Sequence, residues 1–311
     1  MEVAVTGIGL ISALGNLKES WQRLLQGYSA IELARPYKEL QPRPLALINS
    51  VPADPTCFAP QLIEEAIQTA GLMPPLPDCG VVIGSSRAYQ GRLERLAMER
   101  DRGRITDFPD LLPQMVGIEA ARQIGARGPV LAPMAACATG IWAIALACEL
   151  IETGQCQQAM AGAVEAPITP LTLAGFDKMR ALAKTGAYPF DRHREGLVLG
   201  EGGAVFMLES AEFARKRKAP IWGLVLGFGL TNDACYPNAP ALTPKSGLMA
   251  IEQCLLRSQL SPGDIDYIHA HGTSTKLNDR YEAKLIEKMF PQGVAVSSTK
   301  GSTGHTLGAS G

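Results

Sequence analysis

The sequence predicts an α/β fold built from two similar halves. Short apolar runs alternate with longer segments of helical periodicity, which is typical of α/β proteins with mainly parallel strands. After the basic, proline-ended segment 215–220 the pattern starts again, and the strands that open the two halves both end in Gly-x-Gly, at 7–9 and 227–229. We therefore predict one half over residues 1–220 and a second over residues 221–311.

The first half contains five candidate strands and the second contains three. Those of the first half are predicted at residues 2–6, 80–84, 130–133, 158–163 and 204–209. Those of the second half are predicted at residues 222–229, 265–270 and 294–297. The last residue, Gly311, falls where the helix that matches the one after residue 140 should begin, so we expect the second half to be incomplete.

The composition excludes several classes of protein. The 311 residues include 29 basic and 30 acidic side chains, for a net charge of −1, and 46% are hydrophobic. This balance excludes a basic nucleic-acid-binding protein and an acidic disordered chain, and it leaves enough apolar residues for a large core. The seven cysteines form no Cys-x-x-Cys pair, and no basic leader precedes the first strand. We therefore expect free thiols and a cytoplasmic location.

The segment 128–148 carries no charged residue and is long enough to span a bilayer. Pro129, Pro133 and Gly140 interrupt it, so that no apolar helix of sufficient length remains. We interpret the segment as a buried strand, a turn and a buried helix, and we predict no membrane span.

Cys137 lies at the start of that helix, in a turn of alanine, threonine and glycine. Unpaired N–H groups and the dipole at a helix N-terminus stabilise a thiolate, and they should lower the pKa of this thiol. The backbone N–H of Cys137 can also point at an oxyanion, as in a nucleophile elbow. Cys137 is therefore a candidate nucleophile, and the alternative is a structural cysteine, the commoner fate of cysteine in an apolar run.

Two histidines and a lysine occupy similar turns. His271 follows the strand predicted at 265–270, and His305 lies five residues after Lys300 in a glycine-containing turn. Strand ends are where α/β sheets present catalytic groups. Cys137, His271, His305 and Lys300 thus form a candidate constellation, although each histidine taken singly fits a surface or hydrogen-bonded loop residue better.

A metal site is the other interpretation of this region. His269 and His271 would lie on one face of a strand, with Asp279 nearby. No paired carboxylate or Cys-x-x-Cys motif completes a zinc ligand set, so we expect no metal.

Together these turns resemble those of the β-ketoacyl-[acyl carrier protein] synthases, the condensing enzymes of fatty acid and polyketide synthesis in the thiolase superfamily. The resemblance extends from residue 3 to residue 311. It depends on the order and spacing of a cysteine turn, a His-Gly-Thr turn and a Lys…Gly-His turn, since no one of them would suffice. The matching motifs include Ala135-Ala136-Cys137-Ala138-Thr139-Gly140, Gly200-Glu201-Gly202-Gly203, His271-Gly272-Thr273-Ser274-Thr275, Ser298-Thr299-Lys300 and Gly304-His305-Thr306-Leu307-Gly308-Ala309.

The resemblance implies a thiolase-like fold of five αβαβα layers, normally a homodimer, and a role for each candidate residue. Cys137 would carry the acyl chain as a thioester. His271 and His305 would stabilise the enolate formed when malonyl-carrier protein loses CO₂, and Lys300 would orient His305. The substrates would arrive on the phosphopantetheine of acyl carrier protein, the implied partner, so no separate cofactor is expected. The residues that would contact the phosphopantetheine arm are Thr273 and Thr275.

The chain departs from the family in two places. The family usually has an arginine before Pro-Phe-Asp and a phenylalanine after the next glycine, where this chain has Tyr188 and Leu197. We expect these changes to affect the acyl pocket. Members also continue past the position of Gly311 with an acidic residue that can engage the lysine and a glycine-rich turn that donates an oxyanion N–H. We therefore expect a truncated product, a degenerate member, or a chain completed by another.

Three functions compete. The leading hypothesis is a β-ketoacyl synthase that condenses malonyl-carrier protein with an acyl group on Cys137. The alternative is a catalytically impaired subunit that binds a carrier protein or a partner synthase, although such partners usually lack the cysteine. A thiolase that cleaves 3-oxoacyl-CoA is less consistent, because a thiolase typically uses a second cysteine as its base where this pattern has two histidines.

Carrier proteins are acidic, so a carrier-docking surface should be basic. Residues 215–218 form one basic segment. The other segment contains Arg87, Arg92, Arg95, Arg100, Arg102 and Arg104. The alternative for either segment is a solvated face balanced by local acids.

Overall fold

The computed structural model describes residues 2–98, 102–235 and 245–311. Within them the strands, in chain order, are β1 (Val3–Ser12), β2 (Gly15–Asn16), β3 (Glu32–Ala34), β4 (Arg43–Ala46), β5 (Cys79–Gly84), β6 (Val130–Leu131), β7 (Gln158–Glu165), β8 (Leu199–Gly200), β9 (Gly202–Ser210), β10 (Gly223–Val225), β11 (Tyr267–His269) and β12 (Ala295–Ser297). All eight strands predicted from the sequence are present. The strand predicted at 222–229 is shorter than expected.

The helices separate these strands along the chain. They are α1 (Leu17–Leu25), α2 (Ala59–Thr69), α3 (Gln90–Met98), α4 (Met115–Ile124), α5 (Thr139–Glu152), α6 (Pro170–Lys178), α7 (Ala211–Lys216), α8 (Lys245–Ser258), α9 (Lys276–Met289) and α10 (Lys300–Thr303). Short 3₁₀ turns at Ala136–Ala138 and Leu307–Ala309 flank the site described below.

The main sheet has the order β10-β1-β9-β7-β5-β6, with β2 added beside β1, and it is mixed. The expectation of mainly parallel strands is therefore wrong for this sheet. Only β5 pairs in parallel, with β6 and β7, whereas β9 runs antiparallel to β7 and β1, and β10 is antiparallel to β1. The reason is that the chain leaves β7 and enters β9 at the same end of the sheet, where Glu165 lies opposite Gly202.

Helices cover both faces of the main sheet. On one face, Leu62 and Ile63 of α2 and Val116 of α4 belong to the same buried cluster as β5. On the other face α5 buries Ala143, Ala147 and Ile151. The charge-free segment 128–148 thus forms β6, a turn and most of α5, as predicted. The expectation of a buried strand is wrong, because Val130 and Leu131 of β6 are both exposed. No described helix is both long enough and apolar enough to cross a bilayer.

The two Gly-x-Gly sequences perform the same structural task. A Cβ atom at Gly9 would lie 1.9 Å from the carbonyl oxygen of Leu62 in α2, and one at Gly229 would lie 1.8 Å from that of Ala250 in α8. Each motif therefore lets a helix lie directly on the extended chain.

The last two strands lie outside the main sheet. Strands β11 and β12 form a separate parallel pair, in which His269 is opposite Ser297. The boundary near residue 220 stays a prediction, and β10, which follows it, hydrogen-bonds to β1 of the first half. The carboxyl ends of β11 and β12 lie beside the start of α5, and this juxtaposition forms the site.

Candidate active site

Cys137 lies in a tight turn between β6 and α5. Ala136 adopts a φ of 48°, a left-handed conformation that a residue with a Cβ rarely takes. The Thr139 hydroxyl holds the turn, because its Oγ1 accepts from the Ala135 N–H at 3.0 Å and donates to the Ala136 carbonyl at 2.7 Å. The turn leaves the Cys137 side chain half-buried at the head of α5.

Glycine at 308 lets a second turn approach the cysteine. A Cβ atom there would lie 2.5 Å from Glu165 Oε1 and 3.0 Å from the Cβ of Thr139. The turn at Leu307–Ala309 therefore packs directly on the start of α5. Since His305 precedes this turn by two residues, the close approach brings its ring to the cysteine.

His271 is positioned through its backbone. The Glu282 carboxylate, on α9, accepts the N–H of His271 at 2.6 Å and that of Gly272 at 2.8 Å. Gly272 has a φ of +46°, and a Cβ atom there would lie 2.5 Å from the Cβ of Ser298. One carboxylate and one glycine thus determine where the chain turns after β11.

The hydrogen bonds of His305 define its tautomer. The Leu307 N–H donates to Nδ1 of His305 at 3.1 Å, and the Ser310 hydroxyl lies 2.9 Å from the same nitrogen. Because Nδ1 accepts, the neutral ring carries its proton on Nε2. The two imidazole rings meet edge to face, with centroids 5.2 Å apart and 84° between their planes.

Both histidines are neutral at physiological pH. Burial lowers the pKa of His271 from 6.5 to about 3, and the charge of Lys300 acts in the same direction. Burial, His271 and Lys300 together lower the pKa of His305 well below 6.5. Two neutral imidazoles beside one another can donate hydrogen bonds without repelling each other as cations would.

Lys300 supplies the positive charge of the site from the first position of α10. It is 3% exposed, and burial lowers its pKa from 10.5 to about 8, partly offset by Glu282, Cys137 and Asp279. Its predicted role in orienting His305 stays a prediction. In the structure, the hydrogen bonds of the His305 ring go to Leu307 and Ser310.

The thiol of Cys137 differs from expectation in its ionisation. Burial raises its pKa above the ordinary value, although Lys300 and Arg87 both lower it. The predicted lowering by the helix N-terminus is therefore outweighed, because little solvent reaches the sulfur to stabilise a thiolate.

Cys137, His271 and His305 converge. The Sγ atom and one nitrogen of each ring all lie within 4.8 Å of one another. Cys137 and His271 line a cavity of about 450 Å³ together with Lys300 and His269, and His305 is buried. The structure thus brings together the four residues proposed from the sequence, which lie on three separate turns.

The cluster has the spacing of a metal site, but its hydrogen bonds favour a donor role. A metal on Nε2 of His305 would require a proton on Nδ1, where the Leu307 N–H already donates. The alternative set of His269, His271 and Asp279 does not converge. The His269 ring lies 3.2 Å from the Thr299 hydroxyl, while the Asp279 carboxylate accepts the backbone N–H groups of Phe190 and Ser274.

The two threonines expected to meet phosphopantetheine bond to each other. Their hydroxyl oxygens lie 2.9 Å apart, and Thr275 also caps α9 by accepting the Asn278 N–H at 3.4 Å. Their proposed contact with the substrate arm stays a prediction.

Sequence reasoning considered Asp279 only beside a metal site and missed Glu282, whereas both carboxylates support the turns of the site. Asp279 is 1% exposed and pairs with Arg194 at 3.7 Å, and Glu282 holds the His271 turn. A signal was available in the sequence. Asp279 and Glu282 follow the N-cap Thr275 and are three residues apart, which places both on one face of α9, near the turn that precedes the helix.

Three basic side chains in the described parts of the two segments are paired within the chain. Arg92 binds Asp54 through two nitrogens at 2.7 and 2.8 Å, and Arg217 binds the buried Glu209. Arg215 pairs with Glu2 at 2.9 Å. The side chains of Arg100, Arg102 and Arg104 lie outside the part of the chain that the structure describes. A carrier-docking role for either segment stays a prediction.

A mixed sheet between helical layers, with a cysteine turn facing two histidine turns, defines a protein of the thiolase-like class. Two family profiles match the chain: "Beta-ketoacyl synthase, N-terminal domain" over residues 53–214 and "Beta-ketoacyl synthase, C-terminal domain" over residues 222–311. The chain belongs to the β-ketoacyl synthase family, as the resemblance predicted.

Known relatives are similar in sequence to this protein along almost its whole length. It is 33% identical to 3-oxoacyl-[acyl-carrier-protein] synthase 2 of Staphylococcus aureus (strain MRSA252), covering 100% of this chain and 83% of the relative. It is 34% identical to the protein of the same name from Synechocystis sp., with 99% and 82% covered.

Solved structures of ketosynthases have the same fold as this chain. A type II polyketide ketosynthase bound to a hexaketide, in complex with its acyl-carrier protein, has a TM-score of 0.92 at 27% identity, covering 99% of this chain and 83% of that one. A β-ketoacyl synthase from Burkholderia phymatum has a TM-score of 0.87 at 28% identity, with the same coverage.

Proposed function

We propose that this protein is a β-ketoacyl synthase that joins a malonyl unit, with loss of CO₂, to an acyl group held on Cys137. The observation that carries the proposal is the convergence of the Cys137 sulfur with one ring nitrogen each of His271 and His305 within 4.8 Å, beside a cavity that Cys137 and His271 line. The relatives named 3-oxoacyl-[acyl-carrier-protein] synthase 2 support an acyltransferase of the condensing type.

The first step is transfer of the acyl group. The Cys137 sulfur attacks the carbonyl carbon of the incoming thioester, a new S–C bond forms, and the old C–S bond breaks. The cysteine proton leaves with the pantetheine thiol, so protons balance. Because burial raises the pKa of Cys137, the thiol loses its proton as it reacts, with the charge of Lys300 nearby stabilising the developing thiolate.

The second step forms the carbon–carbon bond. The malonyl C–COO⁻ bond breaks, CO₂ leaves, and the electron pair forms an enolate whose oxygen accepts hydrogen bonds from His271 and His305. The enolate carbon then attacks the acyl-Cys137 carbonyl, and the cysteine leaves as a thiolate that takes up a proton. Fixed neutral donors stabilise an oxyanion at low cost, because they need no reorganisation during the reaction.

The remaining roles follow from the same proposal. The substrates are carried on the phosphopantetheine of acyl carrier protein, whose arm contacts Thr273 and Thr275. The electron pair released with CO₂ forms the new bond, so no redox cofactor is required. The acting unit is a homodimer.

Mass spectrometry after incubation with an acyl-carrier thioester tests the first step. We expect an acyl adduct on Cys137 that is lost in Cys137→Ala and kept in Cys57→Ala, since Cys57 is an exposed thiol outside the cavity. An adduct that survives in Cys137→Ala would contradict the proposal.

A second candidate function is that of a subunit that binds a carrier protein or a partner synthase but does not catalyse the condensation. The raised pKa of Cys137 is the observation that favours it, because a neutral thiol is a poor nucleophile. Folded protein that binds carrier protein but forms no adduct would establish this function instead.

A further inference from the structure

Glu165, the last residue of β7, is a fully buried carboxylate without a basic partner. Within the described ranges no basic side chain forms an ion pair with it, whereas Glu209, on the neighbouring strand β9, is bound by Arg217. Burying an unpaired charge is costly, and burial raises the pKa of Glu165 from 4.5 to about 7. Hydrogen bonds alone therefore hold the charged form.

Three donors from the loop after β5 supply those hydrogen bonds. The Ser86 N–H donates to Oε1, and the Arg87 N–H and the Ser85 hydroxyl each donate to Oε2 at 3.2 Å. The Ser85 oxygen in turn accepts the Ala88 N–H at 2.7 Å, which fixes the hydroxyl in place. Because both of its oxygens accept, the carboxylate has little freedom to turn.

The same carboxylate supports the turn that follows His305. A Cβ atom at Gly308 would lie 2.5 Å from Oε1 of Glu165, so this turn lies directly against the oxygen. Leu307 has a φ of 44°, a strained conformation that persists only where the surroundings hold the chain. The Leu307 N–H donates to Nδ1 of His305 at 3.1 Å. Glu165 thus acts on the His305 ring through one packing contact and one hydrogen bond.

We propose that Glu165 is a positioning residue for decarboxylation, whose carboxylate supports the turn after His305 and thereby aims the Nε2–H of that ring at the enolate oxygen. This inference rests on the proposed function, because it assigns a support to one donor of that reaction. The path is short: it runs from the loop at residues 85–87 through the carboxylate to Gly308, Leu307 and the ring. Displacement of a catalytic group by about 1 Å slows a reaction by about 10²-fold.

The variant Glu165→Gln tests the inference at pH 8, where the carboxylate is largely ionised. The amide has nearly the same size, but its NH₂ end cannot accept, so either the Ser86 N–H or the Arg87 N–H loses its acceptor. We expect release of ¹⁴CO₂ from labelled malonyl thioester to slow by about 10²-fold. In a His305→Ala background the same change should slow it by less than about 3-fold, because the effect passes through the missing ring.

The matched control is Glu209→Gln. Glu209 is also fully buried and accepts from Thr6 and Arg217, but it lies opposite Gln158, at the other end of β7. Both variants should lower the melting temperature, whereas only Glu165→Gln should slow CO₂ release. A milder variant, Ser85→Ala, removes one donor to the Glu165 carboxylate and carries the test if Glu165→Gln does not fold. It should slow CO₂ release by about 3- to 10-fold, again only when His305 is present.

Nitrogen NMR of histidine-labelled protein gives a measurement that does not require catalysis. The Nδ1 resonance of His305, assigned by its absence in His305→Ala, reports the hydrogen bond from the Leu307 N–H. We expect this resonance to move in Glu165→Gln and Ser85→Ala and to stay in place in Glu209→Gln.

Three results would overturn the inference: an unmoved resonance, CO₂ release at the wild-type rate in Glu165→Gln, or an equal loss with and without His305. The proposed function fails separately. Wild-type protein that releases no CO₂ would count against that function, and the NMR measurement would still decide whether Glu165 positions the ring.

Discussion

The ring of His305 stands edge-on to the ring of His271, with the centroids 5.2 Å apart. Two cations could not share this position, and burial keeps both rings neutral. Each ring can therefore offer an N–H to the same oxygen atom. The relationship brings two histidines that are 34 residues apart in sequence together beside Cys137.

Replacing His305 by alanine should slow decarboxylation of malonyl thioester by about 10²–10³-fold, since one oxyanion donor is lost. Acylation of Cys137 should continue, because the sulfur and its turn do not depend on the Nε2 proton. Release of ¹⁴CO₂ from labelled malonyl thioester measures decarboxylation, and mass spectrometry measures acylation of Cys137. His193→Ala, at an exposed loop histidine, provides the control. Equal loss of both activities would show that His305 acts on the fold instead.

Substituting Gly308 by alanine should reduce condensation by about 10²-fold, because displacement of a catalytic group by about 1 Å has an effect of that size. The new Cβ would lie 2.5 Å from Glu165 Oε1, so the turn that follows His305 must shift. Gly175→Ala is the matched control, since nothing lies within 4 Å of a Cβ atom there. Wild-type turnover in Gly308→Ala would mean that the turn tolerates displacement.

Removing the Glu282 carboxylate should destabilise the protein and the His271 turn together. The Glu282→Ala change leaves the N–H groups of His271 and Gly272 without their acceptor. Each unpaired group costs about 1–3 kcal/mol. Thermal melting and condensation rate measure the two effects. Glu287→Ala, at an exposed position of the same helix, should change neither. An unchanged melting temperature in Glu282→Ala would contradict the assigned role.

Lys300 should make stability depend on pH in a definite direction. Its pKa is about 8 in the folded protein against 10.5 for an ordinary lysine. Below the lower value the lysine is charged in both states, and the folded state bears the cost of burying that charge. Between the two values the folded state has released a proton that the unfolded state still binds, so the contribution of Lys300 to the unfolding free energy rises with pH.

The matching variant is Lys300→Met. It should be more stable than the wild type below pH 8, and the difference should shrink as the pH approaches 10.5. Urea titrations across this range measure the difference, and Lys288→Met, at an exposed site on α9, should show no such trend. A difference that is constant with pH would contradict the lowered pKa of Lys300.

Much of the fold could be predicted because strands and turns leave local signals. Apolar runs located all eight predicted strands, and Pro129 and Pro133 correctly excluded a membrane helix from residues 128–148. The direction of β9 was missed, because direction depends on which end of the sheet the chain returns to after Glu165. Periodicity within a strand carries no information about that return.

By itself the sequence determined the family, the strand positions and the four residues that the structure brings together, since these depend on residue types in short turns. Only the tertiary structure decided how those residues ionise and what supports them. The thiol pKa of Cys137 is raised rather than lowered, and Arg87, expected at a docking surface, has a buried Nε without a partner. The reason is physical: ionisation and pairing depend on burial and on charges from distant parts of the chain, and these exist only once the chain has folded.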